Sequence, residues 1–304
     1  MSFPTPQRFL FAINPASGSA GKVDWDATIR AYFAPLPHSA ELLTLTGKDD
    51  ETALRQRIEQ HRPDRLVAVG GDGTVKLVAE AAMAANLPLA VLPAGSANGM
   101  AKELNLPADP TEALHIAVGG QERAVDVLYL NGTDLCLHLS DIGLNAQLVR
   151  HAKHKNWRGM LGYARAAFWS VLHRRQLRVR IHTDAGEVSR AAMMVVLANA
   201  RVYGTGAAIN PDGDVADGKF EVVVLRRLVG RELLKMFWRF RPFDPAAIEI
   251  FCTTAVQLEI KRPADFQVDG EYRGKTTRVV VEIRPGALRM LVPAASAAQA
   301  VVPK

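Results

Sequence analysis

The 304 residues include only two cysteines, Cys136 and Cys252. So few exclude a disulfide scaffold and a cysteine-rich zinc site, and they fit a reducing compartment. No apolar run approaches the roughly 18 residues that a membrane-spanning helix needs. The longest, Ala191–Ala200, stops well short of that. Met1–Arg8 carries no apolar stretch of signal length. A soluble, cytoplasmic chain is the expectation, with peripheral attachment to the inner membrane face left open. None of the eight histidines stands at metal-ligand spacing. Neither a Walker A loop nor a G-x-G-x-x-G fingerprint occurs, which removes two common nucleotide signatures. Internal repeats are also absent.

What remains is ordinary globular composition, 48% hydrophobic and 22% charged, at a length that suggests about two domains. Residues 1–125 alternate short apolar runs with helical patterns. Arg8–Ile13, Ala40–Leu45, Leu66–Val69 and Leu89–Leu92 read as buried strands. Asp24–Phe33, Asp49–His61, Val75–Ala85 and a segment from Met100 read as helices. That alternation predicts an α/β domain with a parallel, doubly wound sheet. From Asp126 the pattern changes. Val125–Leu130 and Leu135–Leu139 flank Asn131-Gly132, a hairpin signal. Further β runs follow at Leu177–Ile181, Ala192–Ala198, Phe220–Leu225, Ala255–Ile260, Phe266–Val268, Thr277–Ile283 and Ala287–Val292. Residues 126–292 are therefore expected to form a β-sandwich, interrupted by helices at Trp157–His173 and Arg231–Phe240. A small-residue tail, 293–304, is free to pack back on the first domain.

The formal charge of +6 is unevenly spread. Nine Lys/Arg and no acid lie between Asp141 and Asp184. Six Lys/Arg and one acid lie between Arg226 and Arg241. These stretches carry +14, which leaves −8 for the rest. Such a bias attracts phosphate-rich partners. On Trp157–His173, Arg158, Arg165 and Trp169 share a face suited to lipid headgroups. A helix packed on the sandwich with solvated arginines explains the pattern equally well.

Three polar turns follow strands of the first domain. Leu66–Val69 runs into Gly70-Gly71-Asp72-Gly73-Thr74, Leu89–Leu92 into Pro93-Ala94-Gly95-Ser96-Ala97-Asn98-Gly99, and Arg8–Ile13 into Asn14-Pro15-Ala16-Ser17-Gly18. Open α/β sheets bind ligands at the C-terminal ends of their strands. Glycine-rich strand-to-helix turns let backbone N–H groups approach phosphate oxygens, aided by the helix N-terminus. Asp72 repels phosphate unless a cation intervenes, so the turn implies a nucleotide with Mg²⁺.

With Asn210-Pro211, Asp214, Asp217-Gly218-Lys219-Phe220 and Val268-Asp269-Gly270-Glu271, these turns resemble the signature of the diacylglycerol kinase catalytic domain family. That family includes the sphingosine kinases and the soluble bacterial lipid kinases. Order and spacing agree from about residue 8 to 292. The resemblance implies a first domain like that of NAD kinase and phosphofructokinase, a C-terminal β-sandwich and an active site in the cleft between them. It implies ATP held by Asn14, Gly70, Gly71, Asp72, Gly73, Thr74, Gly95, Ser96 and Asn98, with Thr46 (or Thr44) contributing. Glu271 then fits the proton acceptor, and Asp269 a member of the metal network or an alternative base. Asp214, Asp217 and Lys219 fit a structural cation site for Mg²⁺ or Ca²⁺. Local sequence alone makes Asp269-Gly270 an exposed hairpin turn, and Asp214–Lys219 a polar loop. Two positions depart from the family pattern. Lys76 stands where Asn is usual, and Gly99 where Asp is usual.

The function expected is ATP-dependent phosphorylation of a hydroxyl on a diacylglycerol-like or related amphiphilic lipid. The lipid would be met at an anionic membrane surface, with no nucleic acid involved. An NAD-kinase-like activity shares Gly-Gly-Asp-Gly, but the Asn-Glu pair expected of it is missing. A non-catalytic nucleotide or lipid sensor is the third reading. Oligomeric state stays open, a homodimer included.

Overall fold

The computed structural model describes residues 5–18, 23–154, 176–203, 207–227, 229–236 and 242–294. The chain divides into two compact units, Met1–Val125 with Ala287–Lys304, and Asp126–Gly286.

The first unit contains β1 (Arg8–Ile13), α1 (Trp25–Phe33), β2 (Ser39–Thr44), α2 (Asp50–His61), β3 (Arg65–Gly70), α3 (Asp72–Ala85), β4 (Leu89–Pro93), α4 (Gly99–Glu103) and α5 (Pro110–Gly119). Its strands run in the order β2-β1-β3-β4, each pair parallel. Alternation along the strands fills both faces. Phe9, Phe11, Val67 and Val69 pack with Ile29 and Phe33 of α1 and with Ala113, Leu114 and Ala117 of α5. Leu10, Ala12, Leu66 and Ala68 are fully buried on the other face. Sheets covered on both sides read as continuous apolar runs, which is what made these strands legible.

Three details differ from the sequence reading. α3 starts at Asp72 rather than Val75, with Gly71 as N-cap. The glycine-rich segment is therefore mostly the first turn of a helix. α5 was not expected, although Asp109 caps it by accepting from the Glu112 N–H and Pro110 opens it. Ala287–Val292, assigned above to the sandwich, belongs to the first unit. There Met290 lies parallel beside Leu89.

The second unit contains β6 (Asp134–Cys136), β7 (Leu139–Gly143), α6 (Leu144–His154), β8 (Leu177–Thr183), β9 (Gly186–Ala192), β10 (Met194–Ala198), β11 (Phe220–Leu225), α7 (Gly230–Lys235), β12 (Ile248–Thr253) and β13 (Ala255–Val268). β5 (Gln121–Leu130) enters it and β14 (Glu271–Val292) leaves it. Its strands follow the order β12-β11-β10-β7-β13-β14, with β8 attached to β13, β9 to β8 and β6 to β5. β10 and β11 are buried on both faces. Val195, Leu197, Val222 and Val224 enter one cluster. Met194, Val196, Val223 and Leu225 enter a second, with Ile209, Met236 and Ala247. β12 and α6 were missed from the sequence, because Ile248–Thr253 carries an acid, Glu249, and α6 follows β7 without a break. The helix expected at 157–173, with Arg158, Arg165, Trp157 and Trp169, lies outside the described residues, as does the tail from 295.

Candidate active site

In the first unit, parallel register brings the three turns together. Ile13 aligns with Val69 and Gly70 with Pro93, so Asn14, Gly71 and Ala94 leave the sheet side by side. Asn14 Nδ2 donates to Thr74 Oγ1 at 3.1 Å, and Asn14 Oδ1 accepts from the Ala16 N–H at 3.0 Å. Thr74 is buried. Gly95 must be glycine, because a Cβ there would lie 2.4 Å from the Gly71 Cα and 2.8 Å from Asn98 Oδ1. Asn98 adopts a left-handed conformation and clasps its own turn. Its Oδ1 accepts from the Gly95 N–H and its Nδ2 donates to the Gly95 carbonyl, both at 2.9 Å.

Asp72 sits in the first turn of α3, and its Oδ1 accepts from the Met100 N–H at 3.2 Å. The Gly71 cap has no side chain for the free N–H groups at this helix end, which stay available to an anion. Gly73 and Ser96 are exposed beside it. Thr46 is engaged locally. Its N–H donates to Asp50 Oδ1 at 2.8 Å and its hydroxyl to the Lys48 carbonyl at 3.0 Å. Thr44 is exposed at the end of β2. Lys76 lies on α3, four residues beyond Asp72, and is buried.

These residues suit a nucleotide polyphosphate, with backbone donors and close glycine approach. No group of three or more metal-ligating side chains occurs among the described residues. A divalent ion here would take Asp72, phosphate oxygens and water, which is how Mg²⁺ is commonly held.

In the second unit, Asp269 and Glu271 lie at a reversal of the chain rather than along one face of an extended strand. Asp269 (φ 48°) and Gly270 (φ 81°) form the tight turn between β13 and β14, which reverses the chain. The Asp269 carboxylate accepts from the N–H groups of Leu137 (3.0 Å), His138 (3.0 Å) and Leu139 (3.3 Å). It is also met by Cys136 Sγ at 3.3 Å. Glu271 is exposed and paired with Arg273 Nη1 at 2.9 Å, while Arg273 Nε also reaches Asp134 at 3.3 Å.

The turn is braced from below by residues the sequence reading did not select. Gln267 Oε1 accepts from the Gly270 N–H at 2.6 Å, and Gln267 Nε2 donates to Asp141 Oδ2. Asn145 Nδ2 donates to the same oxygen at 2.6 Å. Asp141 is fully buried, and burial pushes its carboxyl up to about 6 despite these donors. The signal was an acid inside a strand, among apolar residues. Asp126 carries the same signal. It is 2% exposed and accepts from the Gly218 and Gly286 N–H groups, both at 2.7 Å. Asp214 and Asp217 are exposed and cap local N–H groups, of Ala216 (3.1 Å) and Lys219 (2.9 Å). The 214–219 loop is thus held by Asp126.

Comparison with known proteins agrees with this anatomy. The family model for the diacylglycerol kinase catalytic domain matches residues 8–130. That for the YegS C-terminal NAD kinase beta sandwich-like domain matches residues 140–292. A "Probable lipid kinase YegS-like" of Yersinia enterocolitica is 29% identical over 240 residues, 76% of this chain and 79% of that one. A protein of the same description from Chromohalobacter salexigens is 28% identical over 270 residues, 86% of each. A crystal structure of a diacylglycerol kinase from Bacillus anthracis superposes with a TM-score of 0.74 at 18% identity, covering 95% of this chain and 98% of that one, a likeness of fold. Turns, strand order and both domain matches place the chain in the YegS-like lipid kinase family, with a diacylglycerol kinase catalytic domain followed by a β-sandwich.

Proposed function

We propose that the protein transfers the γ-phosphoryl group of ATP to a hydroxyl of a diacylglycerol-like amphiphilic lipid. The observation that carries this reading is the meeting of three polar turns around Asp72, with Gly71 and Gly95 in backbone contact and helix N–H groups free. Phosphoryl transfer is mostly positioning and charge stabilisation, and this arrangement offers both. The free α3 N–H groups hold phosphate oxygens, and Gly95 leaves room for close approach. Asp72 uses one oxygen on the Met100 N–H, and its other oxygen would be the protein ligand for Mg²⁺. Mg²⁺, when bound, supplies neutralisation of charge on the transferring phosphoryl group. Glu271, the exposed carboxylate of the Asp-Gly-Glu turn, takes the proton released as the lipid oxygen bonds phosphorus and the bond to ADP breaks. Asp269, occupied by backbone donors, holds that turn in place.

The test is radiolabelled ATP with mixed micelles containing diacylglycerol, run beside NAD. Label is expected in lipid and not in NAD. Asp72→Ala should lower turnover by about 10²–10³-fold, the usual scale for losing such an electrostatic element. Label in NAD, or ATP binding without turnover on any lipid of a total extract, overturns the reading.

A further inference from the structure

Lys76 lies in the second turn of α3 and is 8% exposed. Its Nζ is buried with no hydrogen-bond partner. Lysines are almost never buried this deeply unless an anion accompanies them, because an unpaired ammonium forfeits its hydration. Asp72, four residues earlier, stands at the spacing of a helix ion pair. Its Oδ1 instead accepts from Met100, and it makes no ion pair with Lys76 among the described residues.

Helical side chains slant toward the N-terminus, so Lys76 runs up the face that carries Asp72, toward the free N–H groups of the Gly71–Gly73 turn. An anion bound at that helix end supplies the missing partner. Gly99, at the start of α4 beside this face, adds no carboxylate. The formal charges of Asp72 and Lys76, the two charged side chains in the first two turns of α3, therefore cancel, with Glu80 one turn further on.

We infer that the Lys76 ammonium is a built-in counter-ion for the polyphosphate of the nucleotide. It supplies positive charge that would otherwise have to come from a divalent cation. This rests on the kinase reading above. Its consequence is polyphosphate binding that persists without metal.

The experiment titrates wild type, Lys76→Met and Lys76→Arg with ATP and with inorganic tripolyphosphate, in EDTA and in Mg²⁺, and records melting temperatures. Wild type should bind both ligands in EDTA. Lys76→Met should bind them at least tenfold more weakly, and Lys76→Arg should retain most of the affinity. Without ligand, Lys76→Met should melt higher than wild type, because an unpaired buried charge is gone. With ATP, wild type should gain the larger shift. Equal binding by wild type and Lys76→Met in EDTA overturns the inference, as does wild type that binds ATP only with Mg²⁺. A lower melting temperature for ligand-free Lys76→Met with unchanged ATP affinity makes the lysine structural and also overturns it. Should Lys76→Met fail to fold, the wild-type arms in EDTA still decide. Absence of ATP binding under every condition brings down the kinase reading itself, whereas ATP binding limited to Mg²⁺ brings down only the role of Lys76.

Discussion

At the scale of single residues, Asp269 and Glu271 are two apart in sequence and do unlike work. Asp269 gathers three N–H groups of residues 137–139, so removing it leaves donors without an acceptor, at roughly 1–3 kcal/mol for each one buried. Taking the low end, about 1 kcal/mol for each of the three donors, Asp269→Ala should lower the melting temperature by about 6–12 °C, given roughly 2–4 °C per kcal/mol for a unit of this size. Glu271 is exposed and holds only Arg273. Glu271→Gln should leave melting nearly unchanged while cutting lipid phosphorylation by about 10²-fold or more. Thermal melting of both variants beside turnover checks the split. An Asp269→Ala variant that melts like wild type but is inactive, or an active Glu271→Gln, would reverse the assignment. Nothing local distinguishes two carboxylates flanking a glycine. The distinction comes from segment 137–139, more than a hundred residues away.

At the scale of elements, the positions of β1, β3 and β4 were legible to within a residue, because strands buried on both faces leave continuous apolar runs. The start of α3 was not. Gly-Gly-Asp-Gly disfavours helix locally, yet Asp72 in the first turn favours its N-terminus, and the tertiary setting decided. Asp141 joins two elements, β7 and β13, through Gln267. Its carboxyl is raised from 3.8 to about 6 by burial. The folded state therefore keeps a proton that the unfolded chain has lost. Stability should fall as pH rises from about 4 through 6, then level off. Asp141→Asn removes this dependence. Across that interval the variant should gain about 3 kcal/mol relative to wild type, from about 1.4 kcal/mol per pKa unit. Urea unfolding of both proteins between pH 4 and 8 reads the difference, and parallel curves would exclude it. Loss of the Asp141–Gln267 bond on ionisation is not expected, because the carboxylate accepts it in either state.

At the scale of the whole molecule, the charge bias of the sequence is partly cancelled in space. Arg150 meets Asp265 at 2.9 Å, Arg180 meets Glu187 at 3.0 Å, Arg231 meets Asp244 at 3.0 Å and Lys235 meets Glu232 at 2.9 Å. Most of these acids lie outside the two basic stretches, so a run of basic residues in sequence is not the same as a basic patch. No helix among the described residues is long and apolar enough to cross a membrane. Docking on an anionic bilayer is our proposal for how a lipid substrate is reached, and it now rests on the basic residues of 153–175. Each engaged Lys or Arg contributes about 1 kcal/mol, screened beyond roughly 8–10 Å. Sedimentation with anionic vesicles should be strong at low salt, weak with neutral vesicles, and reduced by Arg158→Glu with Arg165→Glu. Arg180→Ala, which removes an arginine already ion-paired, should change it little. Equal binding to neutral and anionic vesicles, or none while lipid turnover persists, would return these arginines to solvent.

The sequence by itself determined the two-part architecture, the parallel strands and the turns that follow them. Each rests on short-range causes: apolar periodicity, glycine where backbones meet, and polar residues where strands end. Tertiary structure alone decided which polar groups are spent and which are free. Asp269, Asp126 and Asp141 are occupied by backbone and side-chain donors brought from distant segments, and Lys76 is left without a partner. Burial and hydrogen-bond pairing depend on what the rest of the chain places nearby, and no window of sequence contains that information.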